Sequence, residues 1–351
     1  MIELIHGGDI YSAHERGLEA VLDFSANINP LGMPDGVREA LASGLGSCEA
    51  YPDPLCRALT AALSQSLSQP AERILCGNGA SDLIYRLVQA LCPKTALVLA
   101  PCFEEYEQAL SSVGCTVRRH LLREEEDFRL TERILGDLTE EIDLFFLCNP
   151  NNPTGQTVDQ GLLRRILQHC RERGIVLALD ECFNDFLDNP EAHTMRDSLA
   201  QNDNLILFYA FTKMYAIPGL RLGYCLCADR GLLERMYHCA SPWNVSAPAQ
   251  LAGIQALREE DYRRRTAALI RSERAFLREG LAKLGCTVYG SHANYLFFRL
   301  HVPHLRERLE PRGILLRDCG NFKGLSGEFC RIAVRGRTDN EALLAAMGEL
   351  T

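Results

Sequence analysis

The chain has 351 residues, of which 47% are hydrophobic and 24% charged, and a formal net charge of −9. That length suits a sizeable core and roughly two lobes. The acidic balance argues against a general nucleic-acid or anionic-membrane surface, which needs spread positive charge, but leaves room for a small anionic ligand in a locally basic pocket.

In chain order, the opening "MIELIHGGDIYSAHERG" lacks a basic stretch followed by an apolar one, so no secretory signal is expected. No apolar run approaches the ~20 residues of a membrane helix. From about residue 73, short apolar runs alternate with amphipathic stretches: "RILCG" then "SDLIYRLVQAL", "TALVLAP" then "FEEYEQALSSV", "TVRRHLL" then "LTERILGDL". "DLFFLCNP", "GLLRRILQHCRERG", "IVLALDE" and "LILFYAF" follow. Runs apolar on both faces and spaced by helices predict an α/β layered, mostly parallel sheet. After Pro242 a long charged helix leads to "NYLFFRL", "ILLRDCG" and "FCRIAV", which predict a smaller α+β lobe.

The 15 cysteines are scattered, odd in number and free of C-x-x-C pairs, and read as reduced thiols of a cytoplasmic protein. Among the 9 histidines, His301 and His304 have H-x-x-H spacing but no further ligands, so no metal is expected.

The chemistry gathers where ligands collect in such sheets, at the carboxyl ends of strands. "ILCGNGASDLI" sets Gly77, Asn78 and Gly79 before a helix whose first amides belong to Ala80 and Ser81, a seat for phosphate or an ordinary helix cap. "CNPNNPTG" supplies Asn152, though Asn-Pro stretches also make simple turns. Asp180 closes the apolar "LALDE" and needs a cationic partner, since a lone buried carboxylate is costly. Lys213 and Arg221 follow in "FTKMYAIPGLRLGY". An aldehyde cofactor held as a Schiff base needs an amine, an acid for its ring nitrogen, a donor for its phenolate and a phosphate seat. This chain offers all four.

The set "NNPTG", "DE" and "TK" with an arginine eight residues after the lysine resembles the fold-type I pyridoxal-phosphate enzymes of the aspartate aminotransferase superfamily, over nearly the whole chain. The resemblance implies a fold-type I architecture, with an N-terminal arm (1–34), a large cofactor-binding domain (35–240) and a small C-terminal domain (241–351). It implies pyridoxal 5'-phosphate as cofactor, with Lys213 as its Schiff-base amine and Asp180 at its ring nitrogen. Asn152 would donate to the phenolate and Phe103 would stack on the ring. Gly79, Ala80, Ser81, Thr212 and Arg221 would hold the phosphate, and Tyr51 would reach the phosphate of a neighbouring subunit in a homodimer. Arg331 would bind the substrate carboxylate. Phe183 and Ala210 depart from the superfamily, standing where relatives often carry Tyr and Ser or Thr.

A closer likeness, in "HGGDI", "DFSANINPLGMP", "PWNVSAPAQLAG" and "RDCGNFKGL", is to the threonine-phosphate decarboxylases of cobalamin biosynthesis. By that likeness His6, Gly7 and the following glycine amide, Asn29 and Arg317 are candidates for the phosphate or carboxylate of a phosphorylated amino acid. L-threonine phosphate and L-serine phosphate differ by one methyl, worth only ~1–3 kcal/mol in a pocket. An aminotransferase of the histidinol-phosphate or aromatic amino-acid type stands as the alternative, and a non-catalytic cofactor-binding regulator as a third.

Overall fold

The structure, a computed structural model, describes residues 7–18 and 20–350. Its strands, in chain order, are β1 (Leu22–Asp23), β2 (Ile74–Gly77), β3 (Thr95–Ala100), β4 (Thr116–Leu121), β5 (Leu144–Cys148), β6 (Val176–Asp180) and β7 (Leu205–Ala210). They continue with β8 (Gly223–Cys227), β9 (Thr287–Tyr289), β10 (Tyr295–Arg299), β11 (Ile314–Leu315), β12 (Arg317–Asp318) and β13 (Phe329–Ala333).

Seven strands form the central sheet in the order β2-β8-β7-β6-β5-β3-β4, with β8 alone running against its neighbours. Strands β5 and β8 are buried at every position, and the layer of Phe145, Phe146, Leu177, Leu179, Leu207 and Leu226 is the centre of the core. These continuous apolar runs are what a parallel sheet covered on both faces requires. The edge strand β4 departs from that pattern. Its Arg118 and Arg119 are exposed, and charges on a sheet edge blunt further pairing. The helix expected over "LTERILGDL" shortens to Ile134–Asp137, where Gly136 weakens a stretch already entered through turns.

The register of this sheet assembles one end of it. Cys148 of β5 pairs with Asp180 of β6, and Asp180 with Phe208 of β7. Ala210 pairs with Gly223 of β8, which in turn pairs with Gly77 of β2. The turns that follow Gly77, Cys148, Asp180 and Ala210 therefore open side by side, although they are far apart in sequence.

The smaller lobe is an antiparallel sheet, β12-β13-β10-β9, backed by the helices Glu260–Lys283 and Arg337–Gly348. The run "ILLRDCG", expected as one strand, is split. Its first half, β11, pairs in parallel with β1 of the N-terminal arm, and its second half, β12, pairs with β13. Phe24 joins the two sheets, since its N–H donates to the Leu315 carbonyl at 2.7 Å and its own carbonyl accepts from Ala333 at 2.8 Å. The arm is thereby carried over the open end of the large sheet. Among the described residues no helix is long and apolar enough to cross a membrane.

Candidate active site

Over the carboxyl ends of the central strands lies a cavity of about 610 Å³. Ala80, Ser81, Phe103, Asn152, Asp180, Thr212, Lys213, Arg221, Arg317 and Arg331 all line it. The large sheet supplies the first eight and the small sheet the two remaining arginines.

Asp180 ends β6 and is 6% exposed. Its Oδ1 accepts the Cys182 N–H at 2.9 Å and its Oδ2 accepts the Tyr106 hydroxyl at 2.6 Å. Both donors are neutral, and among the described residues no cation is bonded to this carboxylate. A buried carboxylate so arranged is set for a cationic group in the cavity. Lys213 lies in the single turn Phe211–Met214 after β7, its Nζ 4.9 Å from the centre of the Phe183 ring. The phenyl face offers no hydroxyl, so the departure at Phe183 leaves Lys213 against an apolar wall.

At the other side, Gly79 has φ +87°, and a Cβ built there would stand 2.8 Å from Arg221 Nη2. The guanidinium thus lies directly against the start of the helix Ala80–Leu91. Gly223 is equally tight, because its Cβ would stand 2.7 Å from the Ala80 nitrogen. Unpaired helix N–H groups facing an arginine form a seat for a phosphate-sized anion. Arg221 itself has φ +55°, with Nη1 donating to the Pro218 carbonyl at 3.3 Å.

Arg331, in the middle of β13, is buried. It donates from Nη1 to Asn152 Oδ1 at 2.5 Å and from Nη2 to the Ser25 carbonyl at 2.6 Å, while Nε is buried without a partner. Burial holds its guanidinium below the ordinary arginine value, as it does for Arg317. Arg317 Nη1 donates to the Asp318 carbonyl at 2.8 Å, and its guanidinium lies 4.9 Å over the Phe322 ring. Two desolvated guanidinium groups at one cavity favour an anionic occupant.

Of the other expected residues, Asn29 and Tyr51 fall elsewhere. Asn29 does not line the cavity. Its Nδ2 donates to the Met214 carbonyl at 2.8 Å and to Thr266 Oγ1 at 2.7 Å, and its Oδ1 accepts the Leu31 N–H at 3.0 Å. Its amide is consumed in tying the arm to the Lys213 turn, away from the cavity where a substrate contact is expected. Tyr51 is 77% exposed and stacked on Trp243 at 4.2 Å, outside the cavity of its own chain. Gly7 and Gly8 do line the cavity, but the Gly8 N–H is already given to Ser25 Oγ at 2.7 Å. His6 lies outside the described residues.

Tyr106 escaped the sequence reading, as did Phe322 and Ser25. A signal was present for Tyr106, which stands three residues after Phe103, a spacing that puts both on one face of a helical turn. Most of the cysteines are buried, and burial raises the thiols of Cys148 and Cys182 beside Asp180, so they remain neutral there.

The donor set fits pyridoxal 5'-phosphate. The Asp180 carboxylate, held by neutral donors alone, the anion seat at Gly79–Ser81 with Arg221, the amine of Lys213 and the half-buried Phe103 enclose a space open to an aromatic ring. Comparison with known proteins agrees. Residues 19–347 match the model of the aminotransferase class I and II family. The chain is 41% identical to the threonine-phosphate decarboxylase of Salmonella typhimurium, over 97% of this chain and 95% of that one. Among solved structures it is similar to the L-threonine-O-3-phosphate decarboxylase of Porphyromonas gingivalis (TM-score 0.82, 25% identity, 93% of this chain and 98% of that one). It is also similar to the histidinol-phosphate aminotransferase of Clostridium acetobutylicum (TM-score 0.88, 28% identity, 94% and 98%). The chain belongs to the aminotransferase class I and II family.

Proposed function

We propose that the protein is a pyridoxal 5'-phosphate-dependent carboxy-lyase. It converts L-threonine O-3-phosphate to carbon dioxide and (R)-1-amino-2-propanol O-2-phosphate for cobalamin biosynthesis. The observation that carries this reading is the two guanidinium groups facing the same cavity as Lys213: buried Arg331 with its partnerless Nε, and half-buried Arg317, whose Nη2 lies 3.9 Å from Glu104 Oε2. A substrate with a carboxylate and a phosphate has two anions to match two cations. The identity to the Salmonella decarboxylase supports the same choice.

The cofactor, when bound, supplies an electron sink conjugated to the substrate Cα. Lys213 would hold the cofactor through its amine and would carry a proton to the substrate. Asp180 keeps the ring nitrogen protonated, and Asn152 donates to the phenolate oxygen. Phe103 covers the ring face. Ala80, Ser81, Thr212 and Arg221 with Gly79 take the phosphate. Arg331 and Arg317, with Gly7 and His6, fix the two substrate anions. By fixing the two substrate anions away from the reacting carbon, this clamp would set which Cα bond the cofactor activates, and so favour loss of the carboxylate over loss of the hydrogen.

In this reading the arm 1–34, the large domain 35–240 and the small domain 241–351 meet at the site. The enzyme is a cytoplasmic homodimer in which Tyr51 reaches the neighbouring subunit's phosphate seat. L-serine O-phosphate is a second substrate.

Incubating the holoenzyme with carboxyl-labelled L-threonine O-3-phosphate tests the reading. Labelled carbon dioxide is expected in step with the amine product. A stoichiometric keto acid with no carbon dioxide would replace it with the aminotransferase reading.

A further inference from the structure

Tyr106 is fully buried, and its ring lies at the meeting point of three parts of the site. It stacks on Phe146 of β5 at 4.8 Å with an interplanar angle of 5°. It meets Phe103 edge to face at 5.6 Å and 84°. Its hydroxyl donates to Asp180 Oδ2 at 2.6 Å, a short contact of the kind seen when the acceptor is charged. The other Asp180 oxygen is held by the Cys182 backbone N–H, so the Tyr106 hydroxyl is the side-chain oxygen donor that fixes this carboxylate. Burial and the adjacent Asp180 carboxylate hold the phenol well above its ordinary value, so it remains a neutral donor across the working pH range.

We infer that Tyr106 is a positioning residue for Asp180. Its hydroxyl orients the carboxylate toward the cofactor ring and keeps their shared proton on the ring nitrogen. A donor to the charged form of a carboxylate lowers its basicity. With that donor in place, Asp180 accepts a hydrogen bond from the ring nitrogen without removing its proton. Because the same ring braces Phe103 edge-on, Tyr106 also couples the stacking side chain to the acid. This places a hydroxyl at the nitrogen end of the ring, while Phe183 withholds one near the Lys213 amine. The inference rests on the cavity being the pyridoxal-phosphate site.

The test is the Tyr106→Phe holoenzyme, which keeps the ring packing and loses only the hydroxyl. Two readouts besides turnover are taken: the pH midpoint of the cofactor's visible absorbance, and the cofactor dissociation constant by titration of the resolved protein. With the ring nitrogen less firmly protonated, the ring withdraws less charge from the Lys213 linkage. That linkage then holds its own proton to higher pH. The midpoint is expected to rise by ~1 unit and the dissociation constant by ~10-fold or more. A variant that changes only in melting temperature, with the wild-type midpoint and affinity, overturns the inference. Asp180→Ala separates the two possible failures. If it shifts both readouts and Tyr106→Phe shifts neither, the positioning role alone falls. If neither substitution shifts them, the cofactor reading falls with it.

Discussion

Arg331 and Asn152 stand 179 positions apart, and the guanidinium of one donates to the amide oxygen of the other at 2.5 Å. The contact spans the two sheets: Arg331 belongs to β13 and Asn152 to the turn after β5. It fixes the amide so that Nδ2, its donor end, is the end left for a ligand. Substitution Arg331→Lys keeps the charge but cannot serve Asn152, the Ser25 carbonyl and a substrate anion together. A fall in kcat/KM of ~100- to 1000-fold is expected, about 3–4 kcal/mol. Steady-state kinetics with the phosphorylated amino acid measure it. A change under threefold would show that Arg331 holds the sheets together but not the substrate.

The anion seat makes a sharper steric prediction. At Gly79 a side chain meets two obstacles, a positive φ of +87° and the Arg221 guanidinium at 2.8 Å. With ψ at 166° this backbone is essentially restricted to glycine and alone costs another residue ~1–3 kcal/mol. Gly79→Ala is therefore expected to push Arg221 aside and weaken cofactor binding by ~10- to 100-fold with little change elsewhere. Fluorescence titration with the cofactor reads this directly.

Asn29 acts on Lys213 through the backbone. Its N–H donates to the Lys213 carbonyl at 3.1 Å, and its side chain holds the Met214 carbonyl and Thr266. Asn29→Ala leaves that buried carbonyl and hydroxyl without their donor, a cost of ~2–4 kcal/mol. The melting temperature and kcat should fall together. A raised KM at unchanged stability would instead restore Asn29 to the substrate pocket.

Asn29 also shows where the sequence stops being informative. The ends of β2, β5, β6 and β7 are legible because each apolar run is closed by residues unsuited to a core, and Asp180 or Lys213 stands out against what precedes it. The pairing of β11 with the arm is not legible. "ILLRDCG" reads as one strand, and only the N–H groups of Leu22 and Phe24, which donate to the Gly313 and Leu315 carbonyls, divide it between two partners. Asn29 and Tyr106 fail for the same reason. A polar side chain in a fold can face the ligand or brace what does, and local pattern is identical in the two cases.

Tyr51 tests the assembly. Exposed and stacked on Trp243, it lies outside its own chain's cavity. If it completes the neighbouring subunit's site, Tyr51→Ala and Lys213→Ala damage different chains of one site. Dissociating and reassembling a mixture of the two inactive variants puts both lesions in one site of a mixed dimer and leaves the other intact. Random pairing then restores roughly a quarter of wild-type activity. No recovery in demonstrated mixed dimers would assign both residues to a single chain's site.

Glu181, next to Asp180, points away from the cavity and carries the fold's own pH dependence. It is buried, and it accepts hydrogen bonds from the Tyr209 hydroxyl at 2.6 Å, the Thr194 hydroxyl at 2.7 Å and the Met195 N–H at 2.8 Å. Burial outweighs these donors and pushes its carboxyl up from 4.5 to about 7. A carboxyl with a higher value folded than unfolded binds its proton more tightly in the native state. Its contribution to stability is therefore complete below about 4.5 and is lost as pH rises through about 7, by ~3 kcal/mol in all. Glu181→Gln does not titrate. It can still accept from the two hydroxyls, but it leaves the Met195 N–H facing an amide donor. The variant should melt below wild type at pH 5, and the gap should narrow or reverse by pH 8, because only the wild type loses stability across that interval. Parallel melting curves from pH 5 to 8 would mean that Glu181 stays ionised throughout, with its three donors sufficient to hold the charge.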